Sequence, residues 1–399
     1  MGFLIVAAVV AVSILFGAAV SIVYVAGLRN RRRGIALLFG IPVLLLAVSI
    51  FWQMKLSDLS GSVWMGGGRV AAAEAYAILT GALVTLAALL PFVLLRRKAN
   101  AARAERDLEA DEDRRMFLKT AAAVIPTLAV GGASVRAFEG QNELSIEHIE
   151  LEFERLPAYL DGYRIVQLTD LHIGPFYDME DFDRDLAVVR KQGAERVVIT
   201  GDLIDEVAYV EEMQPRLDAL VKDMKDGVDY IFGNHEHIRD RAAGGRIASG
   251  IRATNMRVLV NESVELTKGI SVEEERVFLA GTDYPMERER EEADIVSFTE
   301  QALDGIPNGA FTILLAHHPL FIGEAFKRNI PVTLTGHTHG GQINVGGVSL
   351  VPVSKPYWKG MYRDGDKYGY VSRGTGHWWP IRLNCPREIT VFTFKKSNA

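Results

Sequence analysis

Residues 164–174 read RIVQLTDLHIG, a short apolar run that ends in acidic and imidazole side chains followed by glycine. The same design recurs in RVVITGDLID (196–205), VDYIFGNHEH (228–237), FTILLAHHP (311–319) and VTLTGHTHGGQ (332–342). A short run rich in Val and Ile that is bounded by turn residues is typical of a buried strand. We therefore interpret each segment as a strand that delivers polar side chains at its carboxyl end.

The chain around these strands predicts a layered α/β domain over residues 145–399, because β-branched runs alternate with charged helical stretches. Further strands are predicted at 146–154, 276–280, 347–352, 368–372 and 388–395. Helices are predicted at 179–192, 207–225, 297–304 and 320–328. In layered α/β sheets, sites assemble beyond the strand ends, where several loops meet. The five polar segments should therefore converge on one place.

The first 137 residues have a different character, because they hold three long apolar runs, at 3–28, 35–54 and 70–95. About 20 apolar residues are enough for a helix to cross the ~30 Å hydrocarbon core of a bilayer. A buried core helix is the alternative for any one run. Three runs flanked by basic residues favour membrane spans, so residues 1–98 are predicted to form an all-α transmembrane region.

Basic residues predict the orientation of these spans. Arginines cluster at 29–33 after the first run, and Arg96, Arg97 and Lys98 follow the third, whereas the loop at 55–69 has only Lys55 and Arg69. Because cytoplasmic loops carry the excess of Lys and Arg, the charged segment 99–116 is predicted to be a cytoplasmic linker.

Residues 114–119 (RRMFLK) precede a weakly hydrophobic Ala/Gly-rich stretch, so that the fourth hydrophobic segment, 117–138, resembles a twin-arginine signal. Asp113 before the arginine pair and the position after three apolar runs depart from that pattern, and a plain fourth transmembrane helix is the alternative. Both cleavage and retention of the segment stay open.

The orientation predicts a multi-pass cell-membrane protein with an extracytoplasmic domain at 145–399. A cytoplasmic domain acting on inner-leaflet lipid precursors is the competing interpretation.

Charge and cysteine content exclude other classes of protein. The formal net charge of −6 argues against a nucleic-acid partner. The single cysteine, Cys385, rules out an intrachain disulfide and a Cys-based zinc site. Histidine is the informative residue, because seven of the nine histidines fall within the five strand-end segments.

The residue types at the strand ends indicate a metal site. Asp170 and His172 are two residues apart, as are His337 and His339, and on an extended backbone such pairs point to the same side. Imidazole and carboxylate donors suit divalent transition-metal ions such as Mn, Fe or Zn. The candidate ligands are too many for one ion: Asp170, His172, Asp202, Asn234, His317, His337 and His339. With one shared carboxylate they fill two adjacent sites, the standard device for in-line displacement at phosphorus.

The motifs D-x-H, G-D, G-N-H-E, H-x-P and G-H-T-H, in this order, resemble the calcineurin-like metallophosphoesterase superfamily over most of 145–399. The resemblance implies a four-layer α-β-β-α sandwich and a metal-dependent phosphoric ester hydrolase that uses a metal-bridging hydroxide. It implies one metal held by Asp170, His172, Asp202 and His339, and a second held by Asp202 (bridging), Asn234, His317 and His337. His235 would contact the phosphate and assist the leaving oxygen, so that His235 and Asp202 are the implied catalytic residues.

The segments LTDLHIG, GDLID, FGNHE, GHTHGGQ and SRGTG…PIRLNCPREIT are also similar to the membrane-associated, YkuE-like branch of this superfamily. That branch combines N-terminal spans or a twin-arginine signal with the phosphoesterase domain. The implied substrate is a phosphomonoester, phosphodiester or pyrophosphate, with lipid-linked or envelope phosphates as candidates. A non-catalytic metal-binding sensor or scaffold is the alternative, which the complete ligand set disfavours.

Several residues near the motifs keep two interpretations. His318 is the alternative to His317 as a ligand. Asp205 and Glu236 are candidates to hydrogen-bond the metal ligands or simply to cap loops, and Arg373 and His377 are candidates to contact the substrate phosphate. The tryptophans at 358, 378 and 379 are either core anchors or a rim that meets lipid headgroups.

Overall fold

The computed structural model describes residues 136–137, 139–349, 351, 353, 356–377 and 381–397. The predicted transmembrane region, the linker at 99–116 and nearly all of the segment 117–138 lie outside these residues, as do two of the tryptophans, Trp378 and Trp379. No helix among the described residues is long and apolar enough to cross a membrane. The elements below belong to one compact unit, Gly140–Ala399.

Strands and helices alternate through this unit, as the sequence pattern predicts. The strands are β1 Leu144–Phe153, β2 Arg164–Leu168, β3 Arg196–Thr200, β4 Val228–Ile231, β5 Arg257–Val258, β6 Glu262–Glu265, β7 Val277–Gly281, β8 Phe311–Leu315, β9 Val332–Thr335, β10 Asn344–Val345, β11 Val348–Ser349, β12 Gly360–Asp364, β13 Lys367–Val371 and β14 Arg387–Lys396. The α-helices are α1 Met179–Arg190, α2 Val210–Asp223, α3 Asn234–Ala243, α4 Arg246–Arg252, α5 Glu291–Leu303 and α6 Phe321–Lys327.

Two six-stranded sheets form the centre of the unit, with the orders β1-β14-β2-β3-β4-β5 and β12-β13-β9-β8-β7-β6. The strands β2 to β5 are mutually parallel, and so are β7, β8, β9 and β13. The carboxyl ends of β2, β3 and β4 therefore lie at one edge of the first sheet, and those of β8 and β9 lie at one edge of the second.

The strands are apolar on both faces because each sheet is covered on both sides. Ile165 and Val198 of the first sheet pack against Leu279 and Ile313 of the second, which forms the core between the sheets. Alternate residues of a strand point to opposite faces, and on the outer face of the first sheet Val166 and Val197 pack against Leu186 of α1 and Leu217 of α2.

The outer face of the second sheet is covered in the same way, because Leu314 of β8 packs against Ala302 of α5 and Ala325 of α6. The order of layers is therefore helix, sheet, sheet, helix. The predicted α/β sandwich is confirmed.

Two helices and several edge strands were not predicted from the sequence. The two helices are α3 and α4. The helix α3 (NHEHIRDRAA) has almost no apolar stripe. Its start is held by Glu236, whose side chain accepts a hydrogen bond from the amide of Gly233, the residue before the first turn. The helix α5 begins at Glu291 rather than 297, with Glu291, Glu292 and Asp294 in its first turn, where acidic side chains favour the helix dipole. Within the predicted strand 347–352, Val348–Ser349 form one arm of the short β10–β11 hairpin, and residues 350 and 352 lie outside the described residues.

Candidate metal centre

The seven predicted ligands all follow parallel strands and lie at the edge where the two sheets meet. Asp170 and His172 follow β2, Asp202 follows β3, Asn234 opens α3 after β4, His317 follows β8, and His337 and His339 follow β9. The ligand atoms of Asp170, His172 and His339 lie within 4.8 Å of one another, and so do those of Asp202, His317 and His337. The structure thus brings together both predicted half-sites, while metal binding itself stays a prediction.

In the first half-site, imidazole nitrogens and carboxylate oxygens that could each bind a metal ion lie close to one another. His172 Nε2 lies 3.0 Å from His339 Nε2 and 3.6 Å from Asp202 Oδ2. His339 Nε2 lies 3.4 Å from Asp170 Oδ1. This arrangement suits ligands gathered around a common cation.

The second half-site has the same character. His317 Nε2 lies 3.2 Å from Asp202 Oδ2, and His337 Nδ1 lies 2.9 Å from Asn234 Oδ1. The same oxygen of Asp202 therefore lies near His172 in one half-site and near His317 in the other. This is the position that the predicted bridging role requires.

His317 offers a test of whether a cation fits. Its Nδ1 lies 2.7 Å from the Thr200 carbonyl oxygen, which only accepts, so Nδ1 carries the hydrogen and Nε2 of the neutral ring presents a lone pair. Nε2 is buried and faces Asp202 Oδ2 at 3.2 Å, without the geometry of a well-formed hydrogen bond. Burial disfavours the charged ring, but Asp202 outweighs burial and raises the pKa of His317 to about 10. The site therefore favours positive charge at Nε2, which a metal ion can supply instead of a proton.

The two carboxylates give a second test. Asp170 and Asp202 are 0% and 2% exposed, and neither forms an ion pair with a lysine or arginine in the described part of the chain. Burial raises the pKa of Asp170, whereas His317 and His235 overcome burial and hold the pKa of Asp202 well below its usual range. Buried carboxylates without such partners are costly unless a cation compensates them. Both tests fit a divalent-metal centre.

The backbone at the ligands corrects one step of the sequence reasoning. Asp170, His172 and Asp202 have φ of 52°, 53° and 52°, and His337 and His339 have 73° and 50°. The paired ligands therefore point to a common site from left-handed turns and not from an extended backbone.

Asp205 and Glu236 both support the ligands, by different routes. Asp205 Oδ1 lies 3.3 Å from His172 Nδ1 and 2.7 Å from His235 Nδ1, so one carboxylate orients two rings. Glu236 accepts hydrogen bonds from the backbone amides of Asp202, Leu203, Ile204 and Gly233. Glu236 thus holds the β3 and β4 loops together and contacts no ligand side chain by these bonds.

His235 lies in the first turn of α3, beside the two half-sites. Its amide donates to Asp202 Oδ1 at 2.8 Å, and its ring stands edge-on to His172 with 4.4 Å between centroids. Burial lowers the pKa of His235, yet Asp202 and Asp205 outweigh it and raise this pKa to about 9.

Three other candidates lie apart from the clustered donor atoms. His318 directs Nε2 towards Glu291, at 3.6 Å, whereas His317 Nε2 faces Asp202, so that His317 stays the predicted ligand. Arg373 forms ion pairs with Glu147 and Glu388. His377 is buried against the ring of Tyr177. The structure therefore offers no support for Arg373 and His377 as phosphate contacts.

Two residues at the site escaped the sequence reasoning, because both lie outside the five strand-end segments. The ring of Tyr284 is 5.4 Å from that of His337, and its hydroxyl lies 3.4 Å from His337 Nε2. Arg382 is fully buried, with Nη2 3.3 Å from His339 Nδ1 and hydrogen bonds to the carbonyls of Arg373 and Gly376. The sequence signal for these two residues is weak, because an isolated tyrosine and an isolated arginine do not by themselves indicate a site.

Comparisons with known proteins agree with the geometry. Residues 163–341 match the family described as calcineurin-like phosphoesterase. The metallophosphoesterase YkuE of Bacillus subtilis is 30% identical over 71% of this chain and 98% of its own length. A bovine transmembrane protein with a metallophosphoesterase domain is 29% identical over 70% of this chain and 63% of its own length. The phosphodiesterase YaeI of Escherichia coli is 26% identical over 70% of this chain and 97% of its own length.

The family match covers the predicted ligands Asp170 to His339, and the B. subtilis relative is matched over nearly its whole length. The resemblance inferred from the motifs is thereby confirmed. This chain belongs to the calcineurin-like metallophosphoesterases, the metal-dependent hydrolases of phosphoesters, among the relatives of YkuE.

Proposed function

We propose that this chain is a membrane-anchored two-metal phosphoesterase that hydrolyses phosphomonoesters, phosphodiesters or pyrophosphates. The observation that carries the proposal is the position of Asp202, whose Oδ2 lies between His172 and His317 of two adjoining donor clusters. When bound, two ions such as Mn, Fe or Zn would neutralise the substrate phosphate and activate water for in-line attack.

The residues divide between two metals. Asp170, His172 and His339 with Asp202 would hold the first, and Asn234, His317 and His337 with Asp202 would hold the second. The carbonyl of Thr200 supports this role for His317, because it fixes the tautomer that leaves Nε2 as the donor. Asp205 supports the role of His172 in the same way.

His235 acts on the substrate rather than on a metal. Asp205 orients its ring from one side, and the backbone hydrogen bond to Asp202 fixes the start of α3 beside the metals. From there the imidazole donates a hydrogen bond to the phosphate and a proton to the departing oxygen. Proton transfer from a positioned side chain contributes about 10²–10⁴-fold to a rate.

The substrates we propose are lipid-linked or cell-envelope phosphates, met outside the cytoplasmic membrane. The support is the three apolar runs at 3–28, 35–54 and 70–95, whose basic flanks favour this orientation. The bovine relative is named a transmembrane protein, and the E. coli relative is named a phosphodiesterase.

The first experiment tests the hydrolase. The full-length chain is purified in mild detergent and assayed with Mn²⁺ on bis(4-nitrophenyl) phosphate. Asp202→Asn should reduce kcat by about 10³-fold or more, and His235→Ala by about 10²-fold. Asp366→Asn is the control, because Asp366 is exposed in the turn between β12 and β13, at the opposite end of the sheet.

Wild-type rates in both site variants would refute the proposed mechanism. A wild-type chain that binds metal but hydrolyses no phosphoester would favour the sensor or scaffold alternative.

The second experiment tests the side of the membrane. A phosphatase reporter that is active only outside the cytoplasm is fused at residue 140 and, separately, within 99–113. We expect activity at 140 and none in the linker. The reverse pattern would place the phosphoesterase in the cytoplasm.

A further inference from the structure

A groove of about 310 Å³ opens along the exposed side of α3. Its lining comprises His237, Asp240, Arg241, Gly244, Gly245 and Met286. None of these residues belongs to the two half-sites, and the mechanism above does not use them.

Helix geometry connects this groove to the metal centre. Asn234, a proposed ligand, is the first residue of α3. Residues three, four and seven apart share a helix face, so Asn234, His237 and Arg241 lie in one row. At 1.5 Å per residue, Arg241 lies about 10 Å along the axis from Asn234.

The side of the groove opposite α3 also begins near the proposed metal ligands. Tyr284 lies beside His337 through its hydroxyl, and the preceding residue, Asp283, contacts His237 Nε2 at 2.6 Å. Met286, two residues further along the chain, lines the groove. The segment 283–286 therefore extends from the proposed ligand His337 to the groove.

The groove is lined by one arginine that has no ion-pair partner among the described residues. This residue, Arg241, is exposed. Its neighbour Asp240 directs Oδ1 to the start of α4, where it accepts hydrogen bonds from the amides of Ile247 and Ala248. Asp283 pairs with His237. A guanidinium without an ion-pair partner offers paired N–H donors to an oxyanion in the groove.

We propose that this groove binds the organic substituent of the phosphoester and that Arg241 recognises an oxyanion, a carboxylate or a second phosphate, on that substituent. The inference rests on the proposed function, because a phosphate held at the metals would direct its substituent along α3. Substrates with a negatively charged substituent are then preferred to neutral ones of the same size.

The experiment compares three 4-nitrophenyl phosphodiesters, those of glycerol, glyceric acid and glycerol phosphate, with the full-length chain and Mn²⁺. They differ in one terminal group, a hydroxyl, a carboxylate or a phosphate. We expect kcat/KM for at least one anionic ester to exceed that for the glycerol ester by about fivefold. A preference confined to one anion identifies the group recognised.

Arg241→Gln should bring this ratio close to one. Arg155→Gln should keep it, because Arg155 is an equally exposed arginine beyond the end of β1, at the opposite edge of the first sheet. Met286→Trp, which narrows the groove, should raise KM for all three esters.

A wild-type ratio of one, or a ratio that persists in Arg241→Gln, would overturn the assignment of Arg241. An unchanged KM in Met286→Trp would place the substituent elsewhere. These failures leave the proposed function intact, and so does a wild-type chain that hydrolyses bis(4-nitrophenyl) phosphate but none of the three esters, which would overturn the inference about the groove. A wild-type chain that hydrolyses no phosphomonoester, phosphodiester or pyrophosphate contradicts the function itself.

Discussion

At the scale of single residues, the candidate metal centre depends on backbone conformations that residues other than glycine normally avoid. Five of the seven proposed ligands have φ between 50° and 73°: Asp170, His172, Asp202, His337 and His339. Each such residue costs about 1–2 kcal/mol outside glycine, so the surrounding packing must hold it there. The strain has a use, because the left-handed turns direct successive donors into one small volume.

The adjacent residues His317 and His318 differ in what their Nε2 atoms face, so that His318 can serve as the control for a substitution of His317. His317 Nε2 faces Asp202 at 3.2 Å, whereas His318 Nε2 faces Glu291 at 3.6 Å, and burial beside His317 lowers the pKa of His318 to about 4. We expect His317→Ala to lose about one of two bound Mn²⁺ ions, measured by equilibrium dialysis with elemental analysis. His318→Ala should keep both. Loss of metal in His318→Ala alone would reverse the assignment.

At the scale of elements, the loop after β9 packs directly on the loop after β2. A side chain at Gly336 would place its Cβ 2.2 Å from Thr169 Oγ1 and 2.3 Å from Asp170 Oδ2. The amide of His337 also donates to both carboxylate oxygens of Asp170, at 3.0 Å. Glycine is required at position 336 because the two sheets deliver their ligands through this contact.

Gly336→Ala should therefore displace Asp170 and destabilise the fold by about 1–3 kcal/mol, the usual cost of overpacking. Denaturant unfolding measures the stability, and the same sample gives its Mn²⁺ content. Gly323→Ala is the control, because Gly323 lies within α6 and a Cβ there would have no contact closer than 3.5 Å. Equal effects of the two substitutions would show that the contact at Gly336 is not critical.

Elements also show how far a sequence pattern can predict structure. The strands β3 and β9 begin at the first residues of the predicted segments 196–205 and 332–342, and each ends just before the glycine that precedes the polar residues. The helix α3 was not predicted, because its sequence lacks an apolar face and its start is held by Glu236, which bonds to backbone 32 to 34 residues away. A local pattern does not contain such distant contacts.

At the scale of the whole molecule, the proposed metal ligands come from both sheets of the fold. The first sheet supplies Asp170, His172, Asp202 and Asn234, and the second supplies His317, His337 and His339. Metals at this edge would cross-link the sheets and neutralise the buried carboxylates. Binding to the folded chain should therefore contribute to stability.

Removal of metal tests this coupling. Treatment with EDTA should lower the Tm, and Mn²⁺ at about 100 times its Kd should restore about 2.7 kcal/mol, which corresponds to roughly 5–10 °C. Thermal unfolding monitored by circular dichroism measures the change. In Asp202→Asn the Mn²⁺-dependent shift should be much smaller. A wild-type Tm that is unaffected by EDTA and Mn²⁺ would argue against a metal that links the sheets.

Local sequence patterns were sufficient to predict the α/β sandwich, the family and the residue types gathered at the strand ends. Those features follow from local patterns, since apolar runs predict strands and parallel strands place their polar ends at one edge. Tertiary contacts were needed to show that His317 faces Asp202 whereas His318 faces Glu291, that Arg373 pairs with Glu147 and Glu388, and that Tyr284 and Arg382 lie beside the proposed ligands. The reason is physical: the direction of a side chain depends on its own φ and on the charges and hydrogen-bond partners that residues distant in sequence bring next to it.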